Sequence, residues 1–509
     1  MTISNFIKKG VETGRNIKIL NFSAMDFQRR TLKKLIRKAS FTEFGTHYNF
    51  TEILRAEDVI QRFQENVPIF DYDSIHNQWW YKTLNEEEDI CWPGKINYFA
   101  LSSGTSGAPS KHIPLTTDSI RSHRRVSMRL ITSLPNYNVP ASLYSRGIML
   151  LGGSTALENK GGYYVGDLSG ITAKQVPFWF KPFYKPGVEI AAEKDWESRI
   201  TKIAENAINW DIGVIGGIPS WIQLLMERII EYHGVDTIHD IWPNLEVFVS
   251  GGISFEPYRN RFNQLCKRPL KVMDTYLASE GYVSIQKYPD AKGMTMMLNN
   301  GVFFEFIPFN SENFDENGKI IGNPKALTLD EVEEGVDYAL LMSTNAGIWR
   351  YLIGDTIRFV DKTMNEIVIT GRTQHFLSIC GEHLSVINMT EAVKMVSDEL
   401  DIDVLEFTVR GVKQDNFFAH KWYIGCDDNV DERLFAQKLD AALEKLNADY
   451  ATERTAVLKD IIVKIVPTKL FYDWHSKHGK MGGQTKFPRV MKENKFKEWE
   501  EFVYQEQTC

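Results

Sequence analysis

The sequence has little cysteine and no pattern of cysteines that would hold a small fold together. Five cysteines occur among 509 residues, and none forms a Cys-x-x-Cys pair; they are Cys91, Cys266, Cys380, Cys426 and Cys509. This scarcity and spacing argue against a disulfide framework and against a zinc ribbon. We therefore expect a protein of a reducing compartment.

An excess of positive charge and a long apolar run are also missing. Lys and Arg number 59 against 66 Asp and Glu, which gives a formal net charge of −7. No basic surplus indicates a nucleic acid or an anionic membrane as the partner. No apolar run approaches the roughly 18 residues of a membrane-spanning helix, and the charged residues between Met1 and Leu20 leave no room for the apolar core of a signal peptide. These absences predict a cytoplasmic protein that binds neither nucleic acid nor membrane.

The composition that is present is that of a folded, multi-domain protein. Apolar residues make up 43% of the chain, aromatic residues 12% and charged residues 25%. These proportions exclude a disordered or low-complexity chain. At roughly 150 residues per domain, the length suggests about three domains, or one large domain with an appendage.

The hydrophobic pattern changes along the chain. Residues 24–40 have helical spacing, and the middle of the chain alternates short apolar runs, such as 147–152 and 212–216, with amphipathic segments such as 220–230. Strands separated by helices predict α/β units. From about 297 to 370, strand-like segments follow one another without long helices between them, which predicts a β-rich subdomain.

A third pattern begins after Gly371. Asn388 with Glu391 is typical of a helix N-cap box, and it predicts a helix that runs to about Leu400. Two alternating segments, a strong helix over 432–446 and a last strand over 460–467 follow. These elements predict a compact α+β domain of roughly 130 residues.

The strongest local signal is Ser102-Ser-Gly-Thr-Ser-Gly107 with Lys111, which follows the strand-like segment 96–101. Glycines let backbone N–H groups turn toward an anion, hydroxyls add donors and the lysine adds a charge, so the segment predicts a phosphate-binding loop. A Walker-type loop is excluded by spacing, because Pro109 stands where its second glycine must be and His112 follows the lysine. The alternative is a flexible surface loop.

Three further segments carry possible chemistry. Glu280, in the segment 274–282, suits a magnesium ion that bridges phosphates, since Mg²⁺ prefers one or two carboxylates plus phosphate oxygens. Asp355, in 349–356, could present a carboxylate to ribose hydroxyls. The glycine-rich segment 479–489 carries Lys480, Lys486 and Arg489 and could reach the active site of another domain. Read singly, each could equally be a surface residue, a turn or a solvated loop.

Taken in order, the segments resemble acyl-adenylate-forming enzymes and, more narrowly, the plant auxin-responsive acyl acid–amido synthetases. Thr275-Tyr-Leu-Ala-Ser-Glu280 resembles the family's Tyr-Ala-Ser-Ser-Glu with a shift of one residue. Arg350-Tyr-Leu-Ile-Gly-Asp355 resembles its Tyr-Arg-x-Gly-Asp with the order of Arg and Tyr changed, and Gln484-Thr-Lys-Phe-Pro-Arg489 resembles its Gln-Tyr-Lys-x-Pro-Arg. The match is collinear from about residue 95 to 490, and we interpret the chain as a bacterial member.

The resemblance implies an α/β multi-domain, adenylate-forming fold. Residues 1–370 would form a large N-terminal domain of two α/β sheets plus a β-barrel at about 297–370. Residues 371–509 would form a small α+β C-terminal domain that acts as a mobile lid. Gly371-Arg-Thr-Gln374 resembles the hinge motif of the superfamily, in which an Asp often stands at the place of Gln374.

The resemblance also implies a two-step reaction that uses ATP and Mg²⁺. A small carboxylic acid would first be activated as an acyl-adenylate with release of pyrophosphate, and the acyl group would then pass to an amine, most simply an amino acid. A thioester-forming ligase that uses coenzyme A is the alternative, and a catalytically silent nucleotide- or acid-binding protein is a further one. The acid, the acceptor and the oligomeric state stay open.

Roles for single residues follow from the same resemblance. The loop would bind the β- and γ-phosphates, Glu280 the Mg²⁺, Asp355 with Arg372 the ribose, and Lys486 both the carboxylate and the α-phosphate. Tyr276 would stack on adenine. The full set of expected nucleotide-binding residues is Ser102, Ser103, Gly104, Thr105, Ser106, Gly107, Ser250, Gly251, Gly252, Thr275, Tyr276, Ser279, Asp355 and Arg372, with Lys111, Glu280 and Lys486 as catalytic residues and Pro219 and Trp221 near the acid.

Overall fold

Eighteen strands and their connecting helices make up the part of the chain that the computed structural model describes, namely residues 23–102, 111–178, 180–315, 318–373, 377, 384–414, 417–447, 450–451, 454, 458–477, 487–491 and 493–508. The strands are β1 (Tyr98–Ser102), β2 (Lys111–Leu115), β3 (Gly147–Leu150), β4 (Glu158–Asn159), β5 (Tyr164–Gly166), β6 (Tyr184–Lys185), β7 (Ile212–Gly217), β8 (Val247–Gly251), β9 (Lys271–Leu277), β10 (Tyr282–Ile285), β11 (Met294–Met296), β12 (Val302–Pro308), β13 (Asp337–Thr344), β14 (Ile348–Asp361), β15 (Glu366–Arg372), β16 (Glu406–Gln414), β17 (Phe417–Gly425) and β18 (Leu458–Val466).

The helices lie between and around these strands. The longer α-helices span Ala24–Ala39, Val59–Asn66, Thr117–Ser133, Leu168–Lys174, Trp196–Ala207, Pro219–His233, Arg259–Leu265, Val386–Leu400, Glu432–Leu446, Lys469–Lys477 and Glu493–Thr508. Shorter helical segments span Glu43–His47, Phe50–Arg55, Tyr72–Ile75, Tyr81–Leu84, Val188–Ala191 and Ile238–Ile241, a π-helix spans His76–Trp80, and 3₁₀ turns span Leu134–Tyr137, Ala141–Ser145 and Glu256–Tyr258.

Side-chain caps define where the helices begin. Ser23 and Asp26 form a reciprocal capping box at the start of Ala24–Ala39, whose apolar stripe includes Leu32 and Ile36. The expected cap of Val386–Leu400 was wrong by one turn. Ser385 is the cap: its hydroxyl accepts from the N–H of Asn388 at 3.1 Å, and the Asn388 side chain accepts from the N–H of Ser385 at 3.2 Å. Asn388 is therefore the third helical residue and not the cap. Its amide oxygen takes the part in the capping box that Glu391 was expected to take.

Two sheets lie in the N-terminal part of the chain. Four strands pair in the order β2-β1-β5-β4, and eleven pair in the order β12-β13-β14-β15-β11-β10-β9-β8-β7-β3-β6. Within the larger sheet, β6, β3, β7, β8 and β9 are parallel to their neighbours in that order. The remaining neighbours, from β9 through β10, β11, β15, β14 and β13 to β12, pair antiparallel. The α/β units and the β-rich stretch predicted from the pattern are both present in it.

The strands at 297–370, where a β-barrel was expected, continue the large sheet, and the barrel itself stays a prediction. β11 pairs with β10 on one side and with β15 on the other, so the hydrogen-bond ladder runs without a break from the parallel strands into β12–β15. The β-rich stretch is thus part of the antiparallel section of the large sheet, which also contains β10 and β11.

The cores follow from these layers. Helix Ala24–Ala39 packs with the antiparallel strands, and helices Trp196–Ala207 and Pro219–His233 pack on the parallel ones. After Arg372, β16, β17 and β18 form a three-stranded sheet covered by Val386–Leu400 and Glu432–Leu446. The boundary at residue 371 and the mobility of the C-terminal domain stay predictions.

Two of the absences predicted above can be checked in the described part of the chain. None of the helices there has the length and hydropathy needed to cross a membrane. Cys91, Cys266 and Cys426 are buried free thiols, whereas Cys380 and Cys509 lie outside the described residues.

Candidate active site

The parallel strands bring several of the predicted residues to one edge of the large sheet. Because β7, β8 and β9 run in the same direction, their carboxyl ends meet there, where ligands bind in open α/β sheets. Ser250 lies opposite Asp274 and Gly251 opposite Thr275. The Thr275 hydroxyl donates to the Ser250 carbonyl at 2.9 Å, which ties the two predicted segments together.

Glycine is required at this edge for two different reasons. A Cβ on Gly251 would stand 2.9 Å from the Thr275 hydroxyl oxygen, and Gly252 has φ = +90°, which residues with a side chain rarely adopt. The turn that follows β8 therefore presents backbone without side chains at these two residues.

A hydrogen-bonded triad joins three of the predicted segments. Asp355 on β14 lies opposite Arg372 on β15, and the Arg372 Nε donates to Asp355 Oδ1 at 2.8 Å. The Tyr276 hydroxyl donates to the other oxygen, Oδ2, at 2.5 Å. Burial, and then the Asp355 charge, raises the pKa of Tyr276 well above its ordinary value, so the phenol stays a donor. The Asp355 charge raises the pKa of Arg372.

Glu280, from the same segment as Tyr276, and Lys111, which begins β2, lie close enough to this triad for their charges to interact with it. Glu280 is 6% exposed, and burial, followed by the Asp355 charge, raises its pKa to about 7. Burial lowers the pKa of Lys111, although the charge of Glu280 opposes that shift. Among the described residues, no cation lies within salt-bridge distance of the Glu280 carboxylate. A buried carboxylate near two cations, but paired with neither, marks a place where a further positive charge would be stabilised.

Some predicted residues lie outside the described part of the chain. These are Ser103, Gly104, Thr105, Ser106, Gly107, Gln374 and Lys486. The ends of the Ser/Gly loop are nevertheless described: Ser102 ends β1 opposite Lys111, which begins β2, so the loop connects two antiparallel strands. Ser279 lies in the turn between β9 and β10, next to Glu280.

The two residues expected near the acid lie at the start of helix Pro219–His233, directly after β7. Pro219 is the first helical residue and is buried. Trp221 is 2% exposed and packs against Trp196, with the ring centroids 4.4 Å apart. This packing favours a core role for the Trp221 side chain, and its contact with an acid stays a prediction.

Two tyrosines that were not predicted from the sequence lie near Lys111 and Glu280. The Tyr72 hydroxyl accepts from the N–H of His112 at 3.0 Å, and the Lys111 ammonium lies 5.2 Å from the centroid of the Tyr72 ring. Tyr351 is buried, and burial together with the Glu280 charge raises its pKa well above its ordinary value. Tyr351 stands inside the third motif and could have been found there, whereas Tyr72 carries no local signal.

The changed order of Arg and Tyr in the third motif has a structural explanation. Arg350 donates to Glu305 at 3.1 Å and to the carbonyls of Gln64 and Val67 at 2.8 and 2.6 Å, so it does not reach Asp355. Leu352 packs into a different apolar cluster from Tyr351. Counted from Tyr351 to Asp355, the spacing of the family motif puts Leu352 at the place of its arginine, and Arg350 pairs with Glu305 instead.

The described residues contain no group of three or more His, Cys, Asp or Glu side chains arranged to hold a metal ion. A cage built from protein ligands alone is thus not seen in the mapped regions. A single carboxylate such as Glu280 can still share a divalent cation with phosphate oxygens.

Comparisons with known proteins agree with this geometry. The GH3 family N-terminal domain matches residues 15–198 and 158–271, the GH3 family central domain residues 295–372 and the GH3 family C-terminal domain residues 387–495. The indole-3-acetic acid-amido synthetase GH3.5 of Arabidopsis thaliana is 21% identical, over 94% of this chain and 90% of the relative. The alignments with GH3.2 and GH3.4 of the same plant span only 25% and 32% of those relatives.

Solved structures share the fold. The GH3.15 acyl acid amido synthetase superposes with a TM-score of 0.78 at 17% identity, over 98% of this chain and 96% of that one. A 2-hydroxyisobutyryl-CoA ligase in its postadenylation state gives 0.58 at 11% identity, over 95% and 92%. The architecture is thus the multi-domain α/β fold that GH3 proteins share with adenylate-forming ligases. Since the N-terminal family model alone matches more than half of the sequence, the chain belongs to the GH3 family.

Proposed function

We propose that the protein is an ATP-dependent acyl acid–amido synthetase, which adenylates a small carboxylic acid and then conjugates it to an amino acid. The observation that carries this proposal is that Asp355, Tyr276, Arg372, Glu280 and Lys111, from four separate stretches of the chain, lie near one another. These residues supply carboxylates for the ribose and a metal ion, and cations for the phosphates, of a nucleoside triphosphate. A bacterial source and a cytoplasmic location stay predictions.

Asp355 is suited to the ribose. Tyr276 and Arg372 each occupy one of its oxygens, so the carboxylate is held in a single orientation. Each carboxylate oxygen has a further lone pair that can accept a hydroxyl donor. Arg372 is nearly half exposed, so part of its guanidinium faces solvent beside the same site. The predicted stacking of Tyr276 on adenine is retained in this proposal, although its hydroxyl also has the orienting role just described.

Glu280 fits a Mg²⁺ ion shared with the phosphates. Its pKa of about 7 reflects a buried carboxylate with too little positive charge around it, and a divalent cation would supply that charge. Mg²⁺ characteristically binds through one or two carboxylates plus substrate phosphates. When bound, the ion would neutralise charge on the phosphates, and Lys111 with the loop that begins at Ser102 would bind the β- and γ-phosphates.

The first half-reaction is attack of the substrate carboxylate on the α-phosphorus, with pyrophosphate as the leaving group. Charge grows on the phosphate oxygens, so catalysis consists mainly of positioning and electrostatic stabilisation. We assign Lys486 to the substrate carboxylate and the α-phosphate. One such donor is worth about 3–4 kcal/mol, or on the order of a hundred- to a thousandfold in rate.

The second half-reaction decides between an amide and a thioester product. The similarity to GH3 family models in all three parts of the chain supports an amine acceptor. The likeness to a CoA ligase is one of fold and supports only the shared adenylation step. Acceptors supplied one at a time, with the product identified by mass, separate the two: a thioester with no amide would favour the ligase.

The test of the proposal is exchange of labelled pyrophosphate into ATP, dependent on an added carboxylic acid from a broad panel. We expect exchange with at least one acid, and we expect Lys486→Ala to lose it a hundredfold or more while the Kd for ATP changes little (about threefold or less). Binding of ATP without exchange for any acid would favour the silent binding protein. Normal exchange in Lys486→Ala would overturn the role of that residue.

A further inference from the structure

A buried polar cluster crosses from the N-terminal domain to the C-terminal domain. Tyr258 ends the 3₁₀ turn Glu256–Tyr258 that follows β8, whereas Glu406 begins β16. The Tyr258 hydroxyl donates to Glu406 Oε1 at 2.7 Å, and the Arg489 guanidinium donates to Glu406 Oε2 at 2.7 Å. Tyr258 is completely buried, and the Glu406 and Arg489 side chains are 6% and 14% exposed. One carboxylate is thus satisfied by one donor from each domain.

The charges in this cluster make the contact strong. Burial, and then the Glu406 charge, raises the pKa of Tyr258 well above its ordinary value, so the hydroxyl remains protonated and can donate. Although burial opposes it, the Glu406 charge raises the pKa of Arg489. A hydrogen bond to a buried charge is worth more than one between neutral groups, and loss of one donor leaves that charge partly unpaired.

Arg489 is fastened to the C-terminal sheet by its backbone as well. The N–H of Val409 donates to the Arg489 carbonyl at 2.8 Å, and the Thr408 hydroxyl donates to the Pro488 carbonyl at 2.8 Å. The guanidinium also lies 4.4 Å from the centroid of the Phe407 ring. Lys486 precedes Arg489 by three residues. The Tyr258 contact therefore fixes the position of Arg489, on the C-terminal sheet, relative to the N-terminal domain.

We infer that Tyr258 is a positioning residue for adenylation: through Glu406 and Arg489 it holds the C-terminal domain in the orientation from which Lys486 reaches the nucleotide. The inference rests on the proposed function for the role of Lys486. Apolar contact at the same boundary does not need the hydroxyl, since Leu405 packs into the core cluster of the parallel strands. Loss of the hydroxyl should thus loosen the orientation without unfolding either domain.

The chain offers a matched control across the same boundary. Lys394 of the C-terminal domain pairs with Glu256, two residues before Tyr258, at 3.3 Å, and both side chains are more than 40% exposed. Exposed pairs of this kind contribute little, because water competes for both partners. Lys394→Ala therefore removes an interdomain ion pair while the buried cluster stays intact.

The test compares Tyr258→Phe, Lys394→Ala and the unchanged full-length protein in both half-reactions. The first readout is pyrophosphate exchange with the acid that gives the fastest exchange, and the second is amide formation from the preformed adenylate of that acid. We expect Tyr258→Phe to slow exchange about 10- to 100-fold, as expected for loss of a hydrogen bond to a buried charge. Amide formation from the preformed adenylate should change about twofold or less, and Lys394→Ala should leave both rates near those of the unchanged protein.

A distance between spin labels on the two domains gives a readout that does not depend on activity. Tyr258→Phe should broaden the distance distribution, and Lys394→Ala should not. If Tyr258→Phe lowers the melting temperature, Glu406→Gln tests the same contact from the other domain, since an amide cannot accept from both donors. An unchanged distance distribution in both variants, or equal slowing of both half-reactions, would overturn the inference. Absence of exchange in the unchanged protein would overturn the proposed function, while the distance measurement would still test whether Tyr258 holds the C-terminal domain through Glu406 and Arg489.

Discussion

Two arginine–carboxylate pairs involve strand β14 at points five residues apart, and they differ in what surrounds them. Arg350 and Glu305 are 4% and 1% exposed, and backbone carbonyls take up further donors of the guanidinium. Asp355 and Arg372 are 16% and 44% exposed, and the tyrosine that completes that pair comes from β9. The hydrogen-bonding groups of the first pair are taken up by one another and by neighbouring backbone, whereas the second pair keeps donors and acceptors that a ligand can use. The same chemical pair is thus enclosed by its own surroundings in one place, and in the other it would hold a ligand under the proposed function.

The largest expected effect comes from breaking the buried pair. Arg350→Met should lower the free energy of unfolding by about 3–5 kcal/mol, because it leaves the Glu305 carboxylate buried with its main partner gone. Urea unfolding monitored by fluorescence measures the change. The double variant Arg350→Met/Glu305→Leu is the control, since removal of both charges should recover much of that loss. A single variant as stable as the unchanged protein would show that this pair is not structural.

The next effect concerns Glu280, which is buried like Glu305 but lacks an ion-pair partner among the described residues. Its pKa is raised from 4.5 to about 7, so the folded state holds its proton more tightly than the unfolded chain does. Stability from this group is present below about pH 4.5 and is lost as pH rises to about 7. Glu280→Gln should therefore stabilise the protein without Mg²⁺ or ATP by about 3 kcal/mol at pH 8 and hardly at pH 4.5.

Thermal unfolding of both proteins between pH 4.5 and 8, in the presence of a chelator, gives the measurement. The sign of the slope is decisive: the gap between Glu280→Gln and the unchanged protein must grow as pH rises. A gap that stays constant would mean that the Glu280 carboxylate is already well compensated in the folded protein. Such a result would also weaken the argument that its site lacks positive charge.

Asp355→Asn should separate binding from stability at the second pair. The amide keeps the shape, but its nitrogen cannot accept at the place of the second oxygen, so either Tyr276 or Arg372 loses its acceptor and the side chain is held less firmly. We expect kcat/KM for ATP to fall by about 10- to 100-fold, equivalent to about 1.5–3 kcal/mol, and the free energy of unfolding to change by about 1 kcal/mol or less. Steady-state kinetics and urea unfolding of the same sample test both parts. A loss of stability as large as that of Arg350→Met would erase the distinction between the two pairs.

The comparison also shows how far the sequence could take the prediction. The motif order predicted a shared role for Asp355, Arg372, Glu280 and Lys111, and in the structure these four residues lie near one another. The ion pair of Arg350 with Glu305 could not be predicted from the sequence, because the two residues lie 45 positions apart and only the paired strands show that they meet. For the same reason, the Tyr276 hydroxyl could not be placed on Asp355 before β9 and β14 were in position.

The fold shows the same division between local and long-range information. Periodicity alone predicted the helix Ala24–Ala39, the strands β3 and β7, and the β-rich stretch that contains β12 to β15, since each depends on its own apolar pattern. That pattern could not say which strands pair. The short β11 joins the two halves of the large sheet, and three residues carry too little pattern to predict that link.

The smallest expected effect concerns a third pair on the same strand, which sharpens the comparison because it lacks both burial and a neighbouring site. Arg358 donates to both oxygens of Asp337, directly opposite on β13, at 2.8 and 2.9 Å, but the two side chains are 39% and 27% exposed. Water competes for such a pair, so Arg358→Ala should cost about 1 kcal/mol or less in urea unfolding and leave kcat/KM for ATP unchanged. A cost near that of Arg350→Met would mean that geometry, rather than burial, determines what an arginine–carboxylate pair contributes to this sheet.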